Sequence, residues 1–227
     1  MSLIPLSFSQ LRFWFQDELH DWSRTPTAPV VLRLSGVLDA QALWAALGDV
    51  MGRHEVLRTV FPVVDGQPRQ RVLSPQEAGL EFEVRTVSAD EVAEEAEEFA
   101  QRPFDLKADV PLRAALFVVG TANHVLVASI HHIAFDGWSV APFLRDLSTA
   151  YEARLGGVEP GWDELPVQYA DFTLWQRELL GVDECVEGVL QEQLDFWRGC
   201  LAGMREELVL PWDRARPVVG SGCAGAV

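Results

Sequence analysis

The sequence predicts an α/β (α+β) fold in which helices flank a mixed, largely antiparallel sheet. Segments with helical spacing of apolar residues alternate with short β-rich segments along the 227 residues. Two of the β-rich segments, 112–119 and 124–130, are apolar at nearly every position. Such runs are typical of central strands that are covered on both faces. Hydrophobic residues make up 48% of the chain, which is sufficient for one large domain or two small ones.

The first elements along the chain are two helices with a strand between them. Apolar residues at helical spacing predict a helix at 9–19, with a serine at or just before its start as the cap. A short alternating β-branched run predicts a strand at 30–34. A clear apolar stripe predicts a second helix at 39–52, which Asp39 can cap.

The next elements form a hairpin, a strand and an acidic helix. An Asp-Gly pair at 65–66 separates β-rich runs at 56–64 and 69–72, which is a strong hairpin signal. A further strand is predicted at 82–87. The helix predicted at 89–101 carries a run of carboxylates on the face that we expect to be solvated.

Helices dominate the part of the chain that follows the two central strands. A long amphipathic helix is predicted at 138–155, and the glycine pair at 156–157 is a suitable end for it. Two more helices are predicted at 169–180 and 187–201. The tail at 211–227 is rich in proline, glycine and arginine, which is typical of a linker.

The composition excludes several classes of protein. The formal net charge is −16, so we expect no binding to nucleic acid or to anionic membrane surfaces. The three cysteines, Cys185, Cys200 and Cys223, are widely spaced and predict neither a disulfide framework nor a structural zinc site. The sequence has no recognisable signal peptide and no run of 18 apolar residues. We therefore expect a cytoplasmic protein.

Two imidazoles and a carboxylate lie close together just after the second central strand. They are His131, His132 and Asp136, and loops after central strands often carry reactive groups. In one interpretation, a histidine transfers a proton or holds an amine while Asp136 organises the loop. In a second, the three side chains bind a metal. In a third, Asp136 only caps the following helix and the histidines pack in the core.

Residue types alone do not decide between these interpretations. The metal interpretation lacks a convincing remaining ligand set, because the other histidines are His20, His54 and His124. Adjacent residues of an extended strand face opposite sides, so the two adjacent histidines are expected to have different roles. Ser139 is not flanked by a nucleophile-elbow motif, and a serine in the first helical turn is more often a cap.

Four segments, in order along the chain, resemble signature motifs of the condensation domains of nonribosomal peptide synthetases. The segment 131–139 contains His-His-x-x-x-Asp-Gly followed by Trp-Ser. The segment 7–14 resembles the opening Ser-x-x-Gln-x-Arg-x-Trp motif, although Ser9-Gln10 replaces the usual Ala-Gln pair. The segments 53–61 and 169–176 match Arg-His-Glu-x-Leu-Arg-Thr-x-Phe and Tyr-x-Asp-Phe-x-x-Trp-Gln at every fixed position. The segment 210–217 is similar to the one that leads toward the second lobe.

The resemblance implies a particular architecture. Condensation domains consist of two chloramphenicol acetyltransferase-like lobes with the catalytic tunnel between them. We expect residues 1–202 to form the amino-terminal lobe and residues 203–227 to form a linker toward a carboxy-terminal lobe that this sequence lacks. On this expectation the chain is the first lobe alone and is inactive by itself.

The resemblance also implies the reaction and the residues that carry it. The acceptor amine attacks a donor thioester, both substrates are tethered to phosphopantetheine arms of carrier proteins, and no bound cofactor or metal takes part. His132 is expected to act as a general base or to hold the amine by a hydrogen bond. Gly137 is expected to supply the turn and a backbone N–H near the reacting carbonyl.

Other residues are implied as supports of the site. His131 is expected to be structural, and Asp136 is expected to form a buried ion pair with Arg58 or, as a second candidate, with Arg53. Such a pair typically costs about 3–5 kcal/mol to break, so Asp136→Ala is predicted to damage folding more than chemistry. Two tryptophans, Trp138 and Trp175, are expected to lie in the core.

The implied partners are donor and acceptor peptidyl carrier domains, the carboxy-terminal lobe, and an adenylation domain of the parent chain. Two alternatives remain open at this point. The chain can instead be a coenzyme A- or carrier-dependent acyltransferase of the same superfamily, or a non-catalytic module that docks carrier proteins.

Overall fold

The computed structural model describes residues 3–19, 27–180 and 189–205. It separates into two compact units, residues 1–179 and 180–227. The predicted linker at 203–227 and the segment 210–217 lie almost entirely outside the described residues, as do His20, Cys185 and Cys223.

The larger unit is built on a four-stranded sheet with the order β2-β8-β7-β6. The strands are β2 (Thr27–Ser35), β6 (Glu81–Thr86), β7 (Leu112–Val118) and β8 (Asn123–His131). β8 pairs antiparallel with both β2 and β7, whereas β6 pairs parallel with β7. This arrangement confirms the mixed, largely antiparallel sheet and the central position of the two apolar strands.

A second sheet of short strands lies in the same unit. It consists of β1 (Ile4–Pro5), β3 (Thr59–Val60), β4 (Val63–Val64) and β5 (Gln67–Val72). The predicted hairpin turn is confirmed, with Asp65 at φ 52° and Gly66 at φ 75°. Both values lie in the left-handed region that a tight two-residue hairpin turn requires. Upstream of β3, the expected strand is replaced by a 3-10 turn at Glu55–Arg58, in which Leu57 is buried.

The helices of the described residues occur where the apolar periodicity predicts them, except for one short helix, Pro75–Ala78, which was not predicted. They are α1 (Phe8–Leu19), α2 (Ala40–Arg53), α3 (Pro75–Ala78), α4 (Val92–Gln101), α5 (Val140–Leu155), α6 (Tyr169–Leu180) and α7 (Val189–Leu201). Asp39 caps α2 as predicted, because its side chain accepts hydrogen bonds from Gln41 N and Ala42 N. Ser7 precedes α1, and its Oγ accepts a hydrogen bond from Gln10 N at 3.1 Å.

Helices cover both faces of the large sheet. α2 and α5 pack together on one face, where Leu47 and Leu147 join a core cluster with Leu116 of β7 and Leu126 of β8. On the other face, the Phe99 ring of α4 meets Phe117 edge-on at a centroid distance of 6.4 Å. Burial on both faces explains why β7 and β8 are apolar at nearly every position.

The smaller unit contains α7, whose apolar side chains Leu194, Phe196, Trp197 and Leu201 are exposed within the described structure. In the described segments, no helix is both long enough and apolar enough to cross a lipid bilayer.

Candidate functional site

The two adjacent histidines lie where the central strand β8 ends. His131 is the last residue of β8, and the chain then turns through a 3-10 segment at Gly137–Ser139 into α5. A hydrogen bond from Ala134 N to His131 O, at 3.0 Å, closes the first turn of this loop. The loop is thus anchored at one end by the sheet and at the other by a long helix. Below it is called the histidine loop (residues 131–139).

His132 lines a cleft of about 320 Å³, the His132 cleft. The other lining residues are Ser9, Arg12, Phe13, Val56, Ile133, Ala134, Phe135, Asp136, Ser139 and Tyr169. The His132 Nδ1 atom lies 3.0 Å from the backbone oxygen of Phe135. A carbonyl oxygen only accepts hydrogen bonds, so Nδ1 carries the proton in the neutral ring and Nε2 is the free acceptor. The side chain is only partly buried, and its ring is therefore not sealed in apolar packing.

His131 faces the opposite side and is fully buried. Its Nδ1 accepts a hydrogen bond from Ile133 N at 2.9 Å, which leaves the proton on Nε2. Burial lowers the pKa of His131, while Asp17, whose oxygen is 3.9 Å from Nε2, acts weakly in the opposite direction. At that distance no hydrogen bond is formed. His131 is therefore a neutral core residue of the site, and the opposite orientation of the two histidines follows from strand geometry.

Asp136 does not form the ion pair that the resemblance implied. Its Oδ1 accepts hydrogen bonds from the backbone N and the Oγ of Ser139, at 3.0 and 2.7 Å, and Asp136 N donates to Ser139 Oγ at 3.2 Å. This reciprocal capping box starts the 3-10 turn that leads into α5. The expectation is wrong because the exposed carboxylate finds the free N–H groups of the next turn, which lie closer than either arginine in the described structure.

The two arginines hold other parts of the unit. Arg58 donates to the backbone oxygen of Leu73 and pairs with Glu55 at 3.3 Å. Arg53 Nε lies 3.1 Å from a carboxylate oxygen of Asp146. Both arginines support the fold beside the histidine loop, and neither reaches Asp136.

The buried carboxylate of this region is Asp146 on α5, which the sequence analysis missed. Asp146 is 3% exposed and accepts hydrogen bonds from Arg53, His54 and Arg145, at 3.1, 2.8 and 3.2 Å. Burial alone would raise the pKa of Asp146, but hydrogen bonds from His54 and Arg145 outweigh it and hold this pKa below its ordinary value. The available signal was its place on the buried stripe of α5, between Phe143 and Ala150.

Gly137 does not use the conformational freedom of glycine. Its φ lies outside the left-handed region, and a Cβ atom added at this position would meet no other atom within 4 Å. The expected glycine-specific turn is therefore wrong in this structure. The implied role of its backbone N–H stays a prediction.

The tryptophan expectation is also wrong. Trp138, at the tip of the histidine loop, is 90% exposed, and Trp175 on α6 is 56% exposed. Trp138 borders a second cleft of about 270 Å³, which shares Val56, Ala134, Phe135 and Ser139 with the His132 cleft. Tyr169 instead ties α6 to the start of α1, because its hydroxyl lies 2.9 Å from Ser7 Oγ.

Metal ligation finds no support in the part of the chain that the structure describes. No three His, Cys, Asp or Glu side chains gather there in a way that could hold an ion. The His131 nitrogen that faces inward is protonated and the carboxylate of Asp136 is committed to Ser139, so these groups do not converge on one point.

Comparison with protein families and curated proteins gives consistent matches. The model of the condensation domain family matches residues 2–224. The chain is 50% identical over 219 residues to a probable non-canonical nonribosomal peptide synthetase, CymA, of Salinispora arenicola, and the match covers 96% of this chain and 3% of that protein. It is 45% identical over 214 residues to a dimodular nonribosomal peptide synthase of Bacillus subtilis, a match that covers 94% of this chain and 9% of the relative.

Solved structures agree with these matches. The X-domain from teicoplanin biosynthesis superposes with a TM-score of 0.87 at 37% identity, over 97% of this chain and 48% of the X-domain chain. The starter condensation domain of the rhizomide synthetase, at 18% identity and a TM-score of 0.76, shares the fold. The chain therefore spans about half of these solved domains and a small part of the curated relatives.

Proposed function

Because this chain belongs to the condensation domain family, we propose that its His132 cleft takes part in amide-bond formation between two carrier-tethered substrates. The donor is an aminoacyl or peptidyl thioester and the acceptor is an aminoacyl group, each on the phosphopantetheine arm of a carrier domain. The acceptor nitrogen attacks the thioester carbonyl, the carbon–sulfur bond breaks, and the released thiolate receives the proton that the nitrogen loses. No bound cofactor is required by this chemistry.

One observation carries the proposal: the free acceptor nitrogen of a partly exposed histidine that lines a cleft. With Nδ1 bound to the Phe135 carbonyl, Nε2 of His132 is able to accept a hydrogen bond from an ammonium or amine group. This lone pair supports both a general-base role and a positioning role. A general base contributes about 10²- to 10⁴-fold in rate, and positioning of tethered reactants contributes as much or more.

The proposal assigns this chain the first of two lobes. The chain covers 48% of the X-domain chain, and the His132 cleft is open along the described surface. We propose that a second lobe of similar size closes this cleft into a tunnel, with donor and acceptor carriers at its two ends. An adenylation domain that loads the carriers is the further partner of the parent protein.

The test compares His132→Ala with a matched control, His124→Gln. His124 is a histidine near the other end of the same strand, β8, and does not line the His132 cleft. Single-turnover amide formation is measured in the protein that contains this chain, with donor and acceptor carriers loaded. We expect His132→Ala to slow amide formation by about 10²-fold or more, whereas His124→Gln retains the rate of the natural sequence. Equal rates for His132→Ala and the natural sequence contradict the proposal.

A second candidate function is protein docking. It is favoured by one observation, the likeness to the teicoplanin X-domain, which was also solved in complex with OxyB. On this hypothesis the chain binds a partner protein and His132 has no chemical role. His132→Ala then leaves partner binding unchanged, and the protein with the natural sequence forms no amide from loaded carriers.

A further inference from the structure

The side chain of Phe13 contacts the imidazole that the proposed function depends on. The two rings are nearly parallel, with an interplanar angle of 13° and a centroid distance of 5.7 Å. This is the offset-stacked geometry that aromatic pairs prefer. Phe13 belongs to α1 and lines the same cleft as His132.

The stack supplies a restraint that the hydrogen bond of His132 does not. The bond from Nδ1 to the Phe135 oxygen restrains one nitrogen of the ring, but concerted rotation about the two side-chain bonds can still tilt the ring plane while that bond is kept. A parallel aromatic neighbour restricts that rotation, because tilting the ring would lose the stacked contact. The two contacts together define both the plane of the imidazole and the position of Nε2.

Accurate placement of Nε2 matters for the proposed reaction. A base acts over a hydrogen bond of about 2.6–3.2 Å, and a misplacement of about 1 Å can cost about 10²-fold in rate. An aliphatic side chain at position 13 would fill a similar volume without preferring one plane of the imidazole. An effect of the aromatic ring itself is therefore separable from an effect of apolar packing.

We propose that Phe13 is a positioning residue that holds the His132 ring with Nε2 available to the cleft. The proposal rests on the proposed function of His132 for its importance to rate, and on the observed stack for the geometry. Phe13 touches neither reacting group in this account and acts through His132. Phe13 also packs against the apolar cluster that contains Trp14 and Phe61, which provides the alternative in which Phe13 only fills space.

The first measurement is made on this chain and needs no activity. ¹⁵N chemical shifts of the His132 ring report the tautomer, and side-chain scalar couplings report its rotamer, at a pH where the imidazole is neutral. We expect one rotamer with Nδ1 protonated in the natural sequence and in Phe13→Tyr. In Phe13→Leu we expect the His132 ring to average between rotamers and tautomers. The ratio of the original state to the alternatives is expected to fall by about 2- to 10-fold, as for loss of one aromatic pair. Unchanged shifts and couplings in Phe13→Leu overturn the proposal.

The second measurement is the rate of amide formation in the protein that contains this chain. Phe13→Leu is expected to lower kcat by about 2- to 10-fold with a smaller change in KM, and Phe13→Tyr to restore kcat. Phe15→Leu on the same helix is the matched control, because Phe15 is exposed and packs edge-on against Trp14. Phe13→Met replaces the leucine variant if leucine lowers the melting temperature. A fall in kcat that tyrosine does not restore overturns the positioning role.

Failure of this inference is distinguishable from failure of the proposed function. If the His132 ring becomes mobile in Phe13→Leu but no amide forms with any variant, the positioning contact stands and the proposed function is wrong. If amide formation depends on His132 while the His132 ring is equally ordered in Phe13→Leu, the proposed function stands and the positioning role of Phe13 is wrong.

Discussion

At the residue scale, the two adjacent histidines are held in opposite tautomers. The His131 Nδ1 accepts a hydrogen bond from Ile133 N, whereas the His132 Nδ1 donates to the Phe135 carbonyl. The first histidine therefore presents a proton to the buried interior, and the second presents a lone pair to the cleft. The backbone of the histidine loop sets both tautomers, so a change in the loop path would alter which ring nitrogens are protonated without changing either histidine.

The buried His131 makes the stability of the fold depend on pH. Burial lowers its pKa from the ordinary 6.5, against the weaker opposing effect of Asp17. Between the lowered pKa and about 6.5, the unfolded chain binds more protons than the folded chain. The free energy of unfolding is therefore expected to fall as the pH drops from neutral through this window, which urea denaturation at a series of pH values measures.

The matched variant for this prediction is His131→Asn. The amide oxygen of asparagine can still accept the hydrogen bond from Ile133 N but does not titrate. We expect a lower stability at neutral pH and a flatter dependence on pH than in the natural sequence. An identical slope in both proteins would assign the pH dependence to other groups.

The capping box of the histidine loop predicts a modest effect for Asp136. Asp136→Ala removes a cap from an exposed turn, so it is expected to lower the free energy of unfolding by about 0.5–2 kcal/mol. Ser139→Ala disrupts the same reciprocal bonds, and the double variant is expected to lose less than the sum of the two. Chemical denaturation of the three variants is the measurement. A loss above about 3 kcal/mol for Asp136→Ala would instead indicate a buried ion pair.

At the element scale, two carboxylates join α2 and the residue that follows it to α5. The carboxylate of Asp146 on α5 binds the side chains of Arg53, which ends α2, and of His54, which follows it. Further along the same pair of helices, Asp49 of α2 accepts hydrogen bonds from two nitrogens of Arg154 of α5. These two sets of ion pairs hold α2 and α5 together on the sheet face. They therefore help to fix the position of α5, into which the histidine loop leads.

The ion pairs of Asp146 and Asp49 are expected to contribute unequally to stability. Asp146→Asn leaves Arg53 and His54 facing a neutral amide in a buried site, and we expect a loss of about 3 kcal/mol. Asp49→Asn is the control on the same pair of helices, but its ion pair is more exposed, so we expect a loss of about 1 kcal/mol. Urea denaturation compares them. Equal losses would show that burial of Asp146 adds nothing to the strength of its contacts.

At the scale of the whole molecule, excess negative charge opposes folding. The chain has 34 acidic and 18 basic residues, which gives the net charge of −16. Ion pairs such as those of Arg102 with Glu81 and Glu83 offset part of the repulsion in the described structure. The compact state still brings like charges closer together than the unfolded chain does.

Screening of this charge is expected to stabilise the protein. Raising sodium chloride from about 0.02 M to about 0.5 M shortens the Debye length from roughly 20 Å to roughly 4 Å, and we expect the melting temperature to rise. Sodium chloride is preferable to sulfate, because sulfate strengthens apolar burial independently of charge. A melting temperature that falls with added chloride would show that the surface ion pairs outweigh the net repulsion.

The periodic features of the fold were predictable from the sequence. Apolar spacing of 3.6 or nearly continuous apolar character identified α2, α5, α6, β7 and β8, because each element has to bury a defined face. Turn chemistry identified the hairpin at 65–66 for an equally local reason. The motifs identified the family, and strand geometry separated the roles expected of His131 and His132.

Long-range partners were not predictable in the same way. Asp136 and Asp146 are both carboxylates that follow the second central strand in the sequence, and only the tertiary structure shows that the exposed one caps a turn while the buried one binds Arg53 and His54. The exposure of Trp138 and the stack of Phe13 on His132 also depend on how distant segments meet.

The sequence by itself determined the family, the order of the main helices and strands, and the position of the two adjacent histidines at the end of a central strand. These follow from local periodicity and from motifs, each of which is read within a few neighbouring residues. The tertiary structure alone decided which carboxylate is buried, which nitrogen of His132 is free, and which aromatic ring stacks on that imidazole. Those facts depend on contacts between residues far apart in sequence, such as Phe13 and His132, whose meeting no local pattern encodes.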